Sequence, residues 1–171
     1  MKYIFNNKYI KVFKFLSSTE MLLFIDNQNC ENKLPLDNTY GDNYYSYILY
    51  HSLTGEKEFI LSFSSDEKEE NLNFLFWYEY NLFVLDTGSF IYLIDDTLHI
   101  KAYLEVTTPL IGIYLTTKNN LILLEEASFR IVSFEGEILK HELFDLIEDF
   151  SLENDQIYIK TSEGNKIFTL M

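Results

Sequence analysis

The chain reads as an all-β protein of repeated antiparallel units, on three observations. Aromatic and β-branched side chains dominate it, polar corners recur at regular intervals, and one segment repeats at a fixed offset. Phe and Tyr together supply 28 of 171 residues, and such side chains fit a pleated, half-buried surface. Alanine occurs only at Ala102 and Ala127, and long runs of good helix formers are absent. The length is that of one domain with a sizeable core, so residues 1–171 are read as a single all-β domain.

The repeat is clearest in the second half. Leu82-Phe83-Val84-Leu85-Asp86-Thr87-Gly88-Ser89-Phe90-Ile91-Tyr92-Leu93 aligns with Leu121-Ile122-Leu123-Leu124-Glu125-Glu126-Ala127-Ser128-Phe129-Arg130-Ile131-Val132, 39 positions on. The same frame returns after a further 36 positions, where Leu121 and Leu123 map onto Ile157 and Ile159. Its corners hold residues that tolerate positive φ or bond their own backbone: Tyr80-Asn81, Asn119-Asn120, Asn154-Asp155, Thr87-Gly88, Glu135-Gly136 and Glu163-Gly164. The predicted units span about 72–106, 110–144 and 146–171.

A looser first unit covers 8–63, with strands at 8–15, 21–25, 44–51 and 57–63 and an inflated polar turn at 26–43. Residues 65–71 form a solvated connector. The final unit stops after its third strand, and residues 1–6 are expected to supply the fourth and close the array, which would hide exposed edges. Residues 142–150 carry Leu143, Leu146, Ile147 and Phe150 at helical spacing. The repeat frame makes them a strand from Leu146 instead.

Four strands per roughly 40 residues is the period of a β-propeller blade, which gives a propeller-like array of about four blades, with a β-sandwich as the alternative. In Asn119-Asn120-Leu121-Ile122-Leu123-Leu124, a short turn, then Arg130-Ile131-Val132-Ser133-Phe134-Glu135-Gly136-Glu137, the second half resembles the NHL and kelch-like propeller families. The resemblance implies architecture and not function.

Charge narrows the partners. The net charge is −14, and residues 1–15 carry four lysines and no acid, so the remainder carries −18. Such a field disfavours nucleic acid and anionic membranes and speeds encounter with a basic protein. One cysteine, Cys30, excludes an internal disulfide and fits a reducing compartment. With lysines interrupting each apolar stretch near the start and no membrane-spanning run, the expected location is the cytoplasm.

No catalytic motif is present. His51, His99 and His141 are too dispersed for a zinc site, and Asp86, Asp95 and Asp96 lack the pattern of a calcium loop. Cys30 has no adjacent base. The reading is therefore no enzyme, no metal and no cofactor.

Two sets of side chains stand out for binding. Tyr45 and Tyr47 share one strand face and are expected to offer tyrosine contacts. Asp66, Glu67, Glu69 and Glu70, then Glu125 and Glu126, then Asp145, Glu148 and Asp149 are acidic corners expected to sum over one surface. Small size, acidity, a single domain and absent catalytic motifs are similar to the immunity proteins of bacterial polymorphic toxin systems, including contact-dependent inhibition. That similarity implies an inhibitor occluding a basic, nuclease-like toxin. The alternative is a propeller-like scaffold or ligand-binding module without a toxin partner.

Overall fold

The structure is a computed structural model that describes residues 3–5, 7–37, 39–153 and 155–170. Its strands are β1 (Tyr3–Phe5), β2 (Lys8–Phe15), β3 (Lys33–Pro35), β4 (Asn43–His51), β5 (Lys57–Ser65), β6 (Phe74–Trp77), β7 (Leu82–Asp86), β8 (Phe90–Asp95), β9 (Ile100–Glu105), β10 (Leu110–Leu115), β11 (Leu121–Glu125), β12 (Ser128–Val132), β13 (Ile138–Leu143), β14 (Ile147–Glu153), β15 (Gln156–Thr161) and β16 (Gly164–Thr169). One α-helix, α1 (Ser18–Asp26), and short 3-10 turns at Glu69–Asn71 and Tyr78–Tyr80 complete the described elements.

The chain divides into two compact units. The first comprises Met1–Leu72 with Asp86–Ser89, and the second comprises Asn73–Leu85 with Phe90–Met171.

In the first unit a five-stranded sheet runs in the order β1-β2-β4-β5-β3. Strand β1 pairs with β2, Tyr3 opposite Ile10, and so forms a hairpin within this sheet. That corrects the expected closing role of the N-terminal strand, because a short turn favours pairing with the next segment in sequence. Of the expected closing segment, residues 1, 2 and 6 lie outside the described residues.

The segment expected as a second strand, 21–25, is helical. Ser17 caps α1, its hydroxyl accepting the Glu20 N–H at 3.2 Å, while Glu20 Oε2 accepts the Leu16 N–H at 2.9 Å. This is the reciprocal capping that starts helices. Met21 and Ile25, four apart on one helix face, then pack against Phe15, Ile48 and Ile60 of the sheet.

The stretch expected to be a polar turn is also partly ordered into the sheet. Strand β3 pairs parallel to β5, Lys33 opposite Ile60, and the Ser64 N–H donates to Thr39 Oγ1 at 2.9 Å. Gly41 has φ +136°, and a Cβ there would lie 2.0 Å from the Ser65 carbonyl carbon. Only glycine fits this approach.

The second unit holds three sheets, β6-β7-β8-β9, β10-β11-β12-β13 and β14-β15-β16. All described neighbours pair antiparallel except β3 with β5. Period-two alternation decides how they stack. Leu121, Leu123 and Val132 of the middle sheet pack with Trp77, Leu82, Val84, Ile91 and Leu93 of the preceding one. Ile122, Leu124, Phe129 and Ile131 point the other way, onto Ile147, Ile157, Ile159 and Leu170. Burying each of these side chains contributes about 2 kcal/mol.

Left-handed backbone falls at the corners read from sequence, at Asn81, Asn119, Asp155, Gly88, Gly136 and Gly164. Residues 147–153 are a strand, as the repeat frame required.

Candidate interaction surface

The two tyrosines are not surface contacts. Tyr45 and Tyr47 are fully buried, because the strand they share, β4, lies between β2 and β5 in a sheet with little exposed face at this point. Tyr45 instead supports the acidic segment from behind. Its hydroxyl donates to the Glu67 carbonyl at 3.0 Å, and burial, then the charges of Glu69 and Glu70, push its phenol above the ordinary pKa.

Around that post, Ser65 Oγ accepts the Glu67 N–H at 3.0 Å, and the Asn71 side-chain amide donates to Glu67 Oε2 at 2.9 Å. Asp66 and Glu70 are exposed, while Glu67 and Glu69 are half-buried. This segment presents carboxylates on a fixed backbone.

Glu125 also departs from expectation. It is fully buried, and Arg130 Nη2 donates to its Oε1 at 3.0 Å. Ser128 Oγ donates to Oε2 at 2.6 Å, and the Thr107 N–H donates to Oε1 at 2.7 Å. The pairing of Leu123 with Arg130 and of Glu125 with Ser128 puts Glu125 and Arg130 diagonally across β11 and β12 on one face. The group ties the β9–β10 connection to this hairpin and offers no charge to a partner.

The remaining acids do converge. Backbone bonds from Phe144 N to Ala127 O (2.8 Å) and from Ile147 N to Glu126 O (2.7 Å) draw the β13–β14 connection onto the β11–β12 turn. Glu126, Asp145, Glu148 and Asp149, all exposed, therefore share one corner of the second unit. Lys160 Nζ stands 3.0 Å from Glu148, which raises the lysine's pKa through that hydrogen bond and charge. Asp145, Asp149 and Glu126 form no ion pair among the described residues.

Asp95 is held differently. Its carboxylate accepts bonds from the Thr97 N–H and hydroxyl and from the His99 N–H, and pairs with Lys101 at 3.2 Å. Desolvation pushes its pKa up, but these bonds outweigh it and lower the value to about 2. Among the described residues no group of three or more His, Cys, Asp or Glu side chains is placed to hold a metal.

A shallow depression of about 560 Å³ surrounds Cys30, whose thiol donates weakly to the Asn32 and Lys57 carbonyls. Another, of about 320 Å³, opens on the β14–β16 sheet between Ser151, Tyr158, Lys160 and Ile167.

Among solved structures the chain is similar to BBS1N in complex with ARL6DN, with a TM-score of 0.52 and 11% identity over 75% of this chain and 44% of that one. That structure is a β-propeller. The fold is propeller-like. BamB from Moraxella catarrhalis matches with a TM-score of 0.49 and 15% identity, over 75% of this chain and 40% of its own. The chain thus spans less than half the length of these structures. No family model and no curated protein matches it.

Proposed function

We propose that this chain is a non-catalytic protein-interaction module that docks a basic protein surface through its acidic corners. The observation that carries the reading is the corner where Glu126, Asp145, Glu148 and Asp149 are gathered by backbone bonds, with Lys160 as the neighbouring cation. Such clustering in a protein of net charge −14 favours encounter with Lys- and Arg-rich surfaces. That a solved structure of this fold holds ARL6DN supports a protein partner.

The finer reading is an immunity-type inhibitor acting in the cytoplasm, whose carboxylates pair with the nucleic-acid-binding Lys and Arg of a basic toxin nuclease. Among the described residues no helix is long and apolar enough to cross a membrane, and a lone half-buried thiol suits a reducing compartment. A second reading, a propeller-like scaffold for an assembly, is favoured by the exposed Ile138, Leu139 and Leu143 on the outer strand β13.

The test is charge reversal at Glu126, Asp145, Glu148 and Asp149 to Lys, with binding and inhibition measured against a panel of purified basic nuclease domains. Tight binding that collapses on reversal supports the inhibitor. Binding that survives reversal removes the acidic corner from the interface. Failure of every nuclease to bind leaves the scaffold reading in its place.

A further inference from the structure

At the far end of β12 from the acidic corner, the β12–β13 turn leans over the end of β6. Phe134 of that turn stacks on Tyr80, the ring centroids 4.3 Å apart and the planes within 14°. Trp77 meets Tyr80 edge-on at 5.1 Å, and Phe76 meets Tyr78 edge-on at 4.9 Å.

The turn is firmly built. Ser133 Oγ accepts the N–H groups of Glu135 and Glu137. Gly136 has φ +85° and sits so close to β9 that a Cβ would lie 2.3 Å from Ala102 Cβ.

Despite this packing the rings stay in water. Tyr80 and Phe134 are 37% and 41% exposed, and Tyr78 is 51% exposed. Glu79, Glu135 and Glu137 flank them in sequence, are exposed, and form no ion pair among the described residues. Partly exposed aromatic rings with unneutralised carboxylates next to them in sequence attract one class of group, a cation with a flat apolar face. The guanidinium stacks on aromatic rings and forks to carboxylates, whereas the lysine ammonium is a hydrated point charge.

We infer that the Tyr80–Phe134 ledge, with Glu79, Glu135 and Glu137, is a docking place for an arginine-bearing segment of a protein partner. The inference rests on the reading of the chain as a binder of basic proteins, and it adds a second contact region with a chemistry of its own.

Trp77 is the only tryptophan in the chain and touches Tyr80, so its fluorescence reports on the ledge. The experiment titrates a blocked Gly-Arg repeat peptide, with the Gly-Lys peptide as comparison, into the protein and three variants. The variants are Phe134→Ser, the triple Glu79→Gln/Glu135→Gln/Glu137→Gln, and the charge control Asp26→Asn/Glu31→Gln/Glu56→Gln, three exposed acids of the first unit. The expected result is saturable binding with the arginine peptide preferred. It should weaken about 10-fold in the first two variants and less than about 2-fold in the charge control.

Equal losses in the ledge triple and the control triple would mean binding follows net charge alone and would overturn the inference. So would equal affinity for the two peptides, or no saturable signal. The ledge triple alters exposed carboxylates only, so it decides the matter if Phe134→Ser unfolds. Should basic proteins bind through the corner while the peptide ignores the ledge, this inference falls and the proposed function stands. Peptide binding at the ledge, with corner reversal leaving basic-protein affinity unchanged, upholds the ledge and removes the corner from the proposed function.

Discussion

Glu125 and Arg130 form a buried ion pair at 3.0 Å across β11 and β12, with side chains 0% and 5% exposed. The carboxylate also takes bonds from Ser128 and Thr107, which offset its desolvation. Removing one partner leaves the other charge buried. Arg130→Met should therefore cost about 3–5 kcal/mol, read from urea denaturation, while Glu125→Leu/Arg130→Met recovers much of the loss. A cost under about 1 kcal/mol for the single variant would show that the pair is not buried in solution. Charge reversal at Glu125 would test folding and not binding.

Tyr45→Phe deletes the hydroxyl that holds the Glu67 carbonyl and keeps the ring. The expected loss is about 1 kcal/mol, with faster amide exchange confined to residues 66–71. Unchanged exchange there would show that the acidic segment is held by other bonds.

Acid should loosen the β8–β9 corner. The Asp95 pKa lies at about 2 in the folded protein against an ordinary 3.8, so its ionised form stabilises the fold above pH 3.8 and that contribution fades as pH falls toward 2. Asp95→Asn should flatten this part of the stability profile, followed by thermal melts between pH 5 and pH 2 (roughly the window in which a depressed aspartate gives up its share). An identical acid limb in the variant would assign the effect to other carboxylates.

Much of the second unit was legible because its repeat preserves both alternation and corner chemistry. Asn81, Asn119 and Gly136 mark turns whether or not the partner strand is known. The first unit was harder to read. Met21-Leu22-Leu23-Phe24-Ile25 is apolar without a break, which serves a buried strand or a short helix equally, and the deciding signal was the Ser17–Glu20 cap upstream. Strand β3 is three residues ending in Pro35 and pairs in parallel with a distant strand, so no local pattern announces it.

Among the proposed contacts, alternation shows that Tyr45 and Tyr47 share a face but not whether that face is covered. The burial of Glu125 depends on Arg130 standing diagonally opposite, a matter of register that composition cannot reveal. The ledge at Tyr80 and Phe134 was missed because its halves are 54 residues apart in sequence.

Deleting Tyr3–Phe5 removes a strand at the edge of its sheet, which among the described residues pairs with β2. The expected loss is about 1–2 kcal/mol, spread over the few residues involved, with amide protection in β14–β16 unchanged. Reduced protection there would mean that the N-terminal strand supports the last sheet.

The middle sheet of the second unit has no side suited to water, since Leu121 and Leu123 meet one neighbour while Ile122 and Leu124 meet the other. Such a layer can exist only as an interior member of a stack. A chain truncated after β13 would bare Ile122, Leu124, Phe129 and Ile131 together and be prone to self-association. Within this unit the middle sheet is therefore the layer whose loss would strip cover from both of its neighbours.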